Sequence, residues 1–204
     1  MKLEGLPDHF VYSPATIEFM TVVAETCLFL EKSIELSRKE FVEKGVNILS
    51  LLYLKTSILE IPERSYDDET ERFVTEDDYN YIKSQIEVLL GDKDTYLETF
   101  HPDMVFSDTP IAAFISENMA DIYQELKDLA ANYQLGETEI MNDAIATCLE
   151  AFGEHWGQKL LNALRAIHNI KYSNQDEDSE DESTHYHKDI DRNDYIDFLR
   201  DDDF

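Results

Sequence analysis

The sequence predicts an all-α protein: a single bundle of about five main helices with an acidic C-terminal tail. Apolar residues recur at alternating steps of three and four through five segments, which keeps them on one side of a 3.6-residue helix. Only six glycines and five prolines occur in 204 residues, too few for the tight turns of an all-β fold. Residues that start or stop helices bound most of these segments. The expected division is a bundle over residues 1–172 and a tail over 173–204.

Residues 1–12 read as a lead-in whose Phe10 and Val11 can tuck against the body. Ser13 and Pro14, a cap followed by proline at the first helical position, open the first helix. Its expected seam is Ile17, Met20, Ala24, Cys27 and Ile34, with Glu31 on the seam itself, where a carboxylate must be paired, hydrated or raised in pKa. Ser37 begins a second helix that runs to about Leu59, with Phe41, Gly45, Ile48, Leu52 and Leu59 in register. Leu49, Leu51, Tyr53, Leu54 and Ile58 widen its apolar surface nearly all round, which predicts a place in the middle of the bundle. Lys55 lies within that arc and is expected to snorkel to solvent.

Residues 60–74 turn polar and charged and read as a surface loop. Thr75 and Asp78 form a capping box for a third helix, with Tyr79, Ile82, Ile86 and Leu89 in register and Gly91 as its stop. A short helical turn around Tyr96, Leu97 and Phe100 is expected next, broken at His101 and Pro102. Asp108 or Thr109 then caps a fourth helix with Pro110 at its first position. Ile115, Met119, Ile122, Leu126, Leu129 and Tyr133 form its seam, and Gly136 suits the left-handed backbone that ends helices. The fifth helix extends from Glu137 and Thr138 to about Tyr172, burying Met141, Ile145, Cys148, Phe152, Trp156, Ala163, Ile167 and Ile170. Gly153 and Gly157 permit either close helix approach or a bend, since each glycine costs about 1 kcal/mol against alanine within a helix.

From Ser173 thirteen acidic residues face only Lys188, Arg192 and Arg200, giving the tail -10 of a total formal charge of -28. Such a segment cannot bury enough apolar surface to order itself. Ile190, Tyr195, Phe198 and Leu199 are the exception: they can form a short amphipathic helix over 190–199 that docks on the body or on a partner. His185 and His187, with acids nearby, make only a weak metal pattern.

A charge of -28 and a pI near 4.3 repel nucleic-acid phosphates and anionic membranes, so neither is an expected ligand. They suit a protein partner, a basic one in particular, and leave open an acidic surface that imitates nucleic acid. Cys27 and Cys148 fall on apolar faces and predict buried thiols without a disulfide, hence a reducing compartment. With no signal-peptide core at the start and no apolar run of ~18 residues, the expected location is the cytoplasm.

Two polar clusters are candidate sites. Glu117, Asp121 and Glu125 stand one turn apart on the fourth helix, a spacing at which carboxylates from two helices can share a divalent cation. Asn118 and Asp128 lie beside them; the plainer expectation is a solvated acidic face. On the fifth helix His155, Gln158, Lys159 and Asn162 line one edge of the apolar face next to Trp156, a set that suits a small anion or planar ligand. Hydrogen bonding between helices is the plainer account there.

No P-loop, dinucleotide fingerprint, HExxH, GxSxG or paired CxxC occurs, so no cofactor is expected beyond a divalent cation. A non-enzymatic interaction or regulatory module is therefore the leading expectation. The alternative is a divalent-metal or small-anion enzyme acting on a phosphate or nucleotide between the first, fourth and fifth helices. Glu31 and His155 or Lys159 would be its catalytic groups, with Glu117, Asp121 and Glu125 as metal ligands.

The segments TPIAAFISENMADIYQELKDLA and WGQKLLNALRAIHNIKY resemble a family of uncharacterised bacterial proteins classed under a domain of unknown function. The resemblance spans roughly Ser13 to Tyr172. It implies an all-α fold and a bacterial cytoplasmic setting, and it supplies no activity, cofactor or catalytic residue.

Overall fold

The computed structural model describes residues 9–67, 70–98 and 111–173. The protein is a helical bundle with one two-stranded ribbon. Its elements are α1 (Pro14–Glu31), α2 (Arg38–Ser57), α3 (Glu76–Leu90), β1 (Thr95–Leu97), β2 (Ala112–Phe114), α4 (Ile115–Gln134), α5 (Thr138–Ala151), a π-helical turn (Phe152–Trp156) and α6 (Gly157–Ser173).

The expected caps form where local chemistry dictates. Ser13 accepts from the Thr16 N–H. Ser37 with Glu40, and Thr75 with Asp78, close reciprocal capping boxes. Gly91 and Gly136 take φ of 56° and 78°, conformations open to glycine because it lacks a Cβ. The lead-in tucks in as expected: Val11 is fully buried and its carbonyl accepts from the Tyr133 hydroxyl.

The bundle is organised around α4, which touches α1, α3, α5 and α6. Ile115, Met119, Ile122 and Leu126 are fully buried along it and Leu129 nearly so. That corrects the expectation for α2. Phe41, Leu49 and Leu52 are buried, whereas Leu51, Leu54 and Ile58 are 43, 55 and 59 % exposed. Helix α2 packs mainly on α1 and α6, so it lies at the edge of the bundle and turns these side chains outward. Lys55 does not simply reach solvent; its ammonium pairs with Glu18 of α1.

The seam of α1 is shifted as well. It buries Phe19, Val22, Val23, Thr26, Cys27 and Leu30, while Ala24 is exposed and Ile34 lies beyond the helix, 68 % exposed. With apolar residues on most sides of α1, periodicity alone did not select the buried arc.

The start of α4 differs from the sequence expectation. Residues 112–114 are extended, pairing antiparallel with 95–97 so that Tyr96 faces Ala113. A strand therefore replaces the helical turn expected at Tyr96 and Leu97. The helix begins at Ile115 without a side-chain cap from its own N-cap residue, Phe114. Asp94, nearly fully buried, supplies the cap from 22 residues upstream. Its Oδ1 accepts from the Ser116 N–H at 2.7 Å, its Oδ2 from the Ser116 hydroxyl at 2.7 Å, and its carbonyl from the Ile115 N–H at 2.9 Å. Phe100, His101, Phe106 and the expected cap at Asp108–Pro110 lie outside the described residues, as do 174–204 with His185, His187 and the 190–199 segment.

The long fifth helix is interrupted by the π turn. Cys148, Phe152, Trp156 and Leu160 follow at three successive steps of four, each drifting ~40° around an α-helix. One wider turn offsets that drift and leaves Trp156 and Leu160 fully buried. The Trp156 indole N–H donates to the Cys148 carbonyl at 2.9 Å. Gly157 is required here, because a Cβ would stand 2.4 Å from the Phe152 carbonyl oxygen and 3.0 Å from its ring.

Replacing Asp94 with alanine leaves buried donors of α4 unpaired. It should lower unfolding stability by about 1–3 kcal/mol, read from urea unfolding, with helical content retained below the transition.

Candidate functional site

Helix α4 carries one polar stripe beside its apolar seam: Asn118, Asp121, Glu125, Asp128 and Asn132, at steps of three and four. Asn118 donates to the Tyr96 hydroxyl of β1. Asp121 accepts from the Tyr79 hydroxyl of α3 at 2.9 Å and stands 3.2 Å from the Lys159 ammonium of α6. Glu125 is paired with Arg72 at 3.1 Å. Asp128, almost fully buried, accepts from the Phe73 and Val74 N–H groups at 2.7 and 2.9 Å and lies 3.3 Å from Arg72. Asn132 donates to the Glu71 carbonyl at 2.8 Å. The stripe thus reaches the ribbon, two helices and the loop before α3.

A second clamp holds the other end of that loop. Buried Asp143 of α5 accepts from the Ser65 and Tyr66 N–H groups at 2.7 and 2.9 Å, and Asn142 donates to the Glu63 carbonyl at 2.8 Å. Arg64 pairs with Glu150. Burial acts to raise the Asp143 carboxyl. The two backbone N–H groups and the Asn142 amide outweigh it, holding Asp143 below the usual carboxylate range.

The sequence-derived candidates occupy distinct places. Glu31, at the end of α1, accepts from the Tyr123 hydroxyl at 3.0 Å and pairs with Lys127 at 2.6 Å. That bond, acting against burial, raises the Lys127 ammonium. Burial first, then Glu31, pushes the Tyr123 hydroxyl up. Glu117 meets Lys83 at 2.9 Å. Glu117, Asp121 and Glu125 therefore face three cations from three segments. Among the described residues no three His, Cys, Asp or Glu side chains converge as a metal-holding group.

Lys159 meets Asp121, but His155 is exposed on the π turn. Asn162 donates to Glu98 at 2.8 Å and accepts from Gln158 at 3.1 Å. Trp156 points into the core instead of lining this edge. Sequence reasoning missed Arg72, Tyr79, Tyr96 and Asp143, whose roles depend on contacts between distant segments.

Beside Arg72, Glu125, Asp128 and Cys148 lies a cavity of about 10 Å³, room for roughly one water. Both thiols are buried; burial pushes Cys27 up to about 12 and raises Cys148 as well, so neither is an activated nucleophile. No helix among the described residues is long and apolar enough to cross a membrane.

Residues 10–173 match a family described as Domain of unknown function (DUF5063). The chain belongs to this family. The matched range takes in the clamps and all six helices. The fold is similar to the crystal structure of protein BF1032 from Bacteroides fragilis, a structural-genomics target, at 43 % sequence identity and a TM-score of 0.73. That similarity covers 81 % of this chain and 97 % of the other. None of the curated proteins matches.

Asp143→Asn should lower stability at pH 7 by about 1–3 kcal/mol and expose residues 60–67 to proteolysis. Because the folded carboxyl titrates below its unfolded value of about 3.9, its contribution is fully present above that pH. It fades as pH falls through the folded pKa. Urea unfolding of both proteins should therefore show the gap closing between pH 5 and pH 2.

Proposed function

We propose that the protein is a non-enzymatic interaction module that takes a protein partner on the outward face of α2. The observation that carries this reading is the exposed apolar stripe Leu51, Leu54 and Ile58, continued by Ile61 at 53 % exposure. Single exposed leucines are ordinary, but an aligned row on a helix at the edge of the bundle is the pattern of a docking surface. The spacing i, i+3, i+7 fits an amphipathic helix laid alongside.

Charge does not refine the partner. Helix α2 carries Arg38, Lys39, Lys44 and Lys55 against Glu40 and Glu43, and α6 carries Lys159, Arg165 and Lys171 with no acid. On the other side α1 carries Glu18, Glu25 and Glu31 with no base, and Lys55 is paired with Glu18. The surroundings of the row are therefore mixed in sign, and the apolar side chains carry the contact.

Leu54→Glu with Ile58→Glu should abolish partner capture by a photo-crosslinker placed at Leu51 and leave the melting temperature within a few degrees of the parent. Capture of the same species by the double variant would remove the reading.

The metal or small-anion enzyme remains the second reading, favoured by the meeting of Asp121, Tyr79 and Lys159. It asks Lys159 to exchange its contact with Asp121 for a ligand. Calorimetry with Mg²⁺, Mn²⁺ and nucleotides should then give heat that Asp121→Asn removes; no heat in the parent protein would end it.

A further inference from the structure

We infer that the surface of α4 and α5 beneath residues 60–74 is a second interaction site, built for an arginine-bearing segment of a partner, with the chain's own loop as its resident occupant. The site uses none of the exposed α2 residues and stands independently of that reading.

The loop contains a tandem repeat. Glu63, Arg64, Ser65 and Tyr66 are followed eight residues later by Glu71, Arg72, Phe73 and Val74. An Asp–Asn pair holds each copy in the same register. The Asn142 amide donates to the Glu63 carbonyl, and Asp143 accepts from the N–H groups two and three residues on, those of Ser65 and Tyr66. The Asn132 amide donates to the Glu71 carbonyl, and Asp128 accepts from Phe73 and Val74, again two and three residues on. The position after the glutamate is arginine both times, and a carboxylate takes it: Glu150 for Arg64, Glu125 with Asp128 for Arg72.

The helices themselves carry no such repeat. The pair is four residues apart on α4 and adjacent on α5, so the likeness lies in what is bound. The Asp–Asn pair reads main chain, which any sequence offers, and the outer carboxylate selects arginine, whose guanidinium suits it better than an ammonium does. A basic segment is also the kind that a chain of -28 attracts.

The resident occupant is replaceable. No described residue of 60–74 is buried, and Tyr66 and Phe73 are 53 and 38 % exposed. What lies underneath is buried: Leu129, Ala144 and Cys148 line the small cavity that Thr70 and Arg72 close from above. A segment that adds no buried side chain opens locally at a lower free energy than the helices it covers. An arginine-bearing segment in the same register then meets the same donors and acceptors.

The test uses the full chain and a capped peptide of residues 62–66, with the same peptide carrying alanine for arginine as control. The tethered loop competes at an effective concentration in the millimolar range, so the parent chain should bind the peptide weakly. Arg64→Ala loosens the loop by removing a half-exposed ion pair, which puts little folding stability at stake. In that variant the arginine peptide should speed amide exchange at Ser65 and Tyr66 by at least about tenfold while the α5 amides stay protected. The alanine peptide should not, and adding Glu150→Gln should abolish the difference between the two peptides.

Unchanged exchange at Ser65 and Tyr66 in millimolar arginine peptide, in both the parent and Arg64→Ala, would overturn the inference. So would an equal response to the two peptides, or loss of protection throughout α5, which would mean unfolding in place of exchange of one segment for another.

Discussion

The constraint on which the structure depends is that α4 is surrounded by protein and must still anchor several irregular segments around it. A helix in that position has no water to satisfy polar neighbours, and a loop lying on it brings unpaired N–H and carbonyl groups. The solution is a narrow polar stripe next to the apolar seam. Asp128 shows the logic most clearly: one buried carboxylate accepts two consecutive backbone N–H groups, of Phe73 and Val74, and faces Arg72. Asp143 repeats the device on α5 with Ser65 and Tyr66. A loop of polar composition is thereby fixed at both ends without an apolar core of its own.

Magnitude separates these contacts from the other ion pairs. Exposed pairs such as Arg38 with Asp92, at 3.7 Å, contribute close to nothing after side-chain entropy and screening. Charge-assisted bonds from buried backbone N–H groups are shorter, unscreened and expensive to leave unmade. Conserving charge while changing shape at Asp128 or Asp143 would therefore disturb the protein more than reversing several surface charges. The same comparison explains why carboxylates at metal-like spacing need not mark a metal: Glu117, Asp121 and Glu125 each have a cation from a different segment.

What was legible in the sequence follows the range of the interactions. Ser13, Ser37, Thr75 with Asp78, Gly91 and Gly136 act on neighbours within a turn, and the letters alone place them. The seam of α4 was equally plain, and so was its polar flank. The partners of that flank were not, because Tyr79, Arg72 and Lys159 arrive from 42, 53 and 38 residues away. The start of α4 misled for the same reason: Asp108, Thr109 and Pro110 form a good local cap signal, while the observed cap is Asp94 across the ribbon. Three-residue strands are too short for alternation to register. The π turn left a trace in the three steps of four from Cys148 to Leu160, and Gly157 marked where a carbonyl approaches.

Helix α2 is where sequence pattern and structure disagree in a way that carries meaning. Apolar residues on nearly all sides predict a central helix, yet among the described helices it packs mainly on α1 and α6, with Arg38 at its start reaching the Leu89 carbonyl of α3. Local pattern normally agrees with global position, and a conflict between them tends to mark a functional surface. Here the excess apolar side chains form an outward row, on a helix whose charge is opposite in sign to that of the chain. A strongly negative protein repels its own copies over most of its surface. That net repulsion lets an exposed apolar row stay open without general self-association.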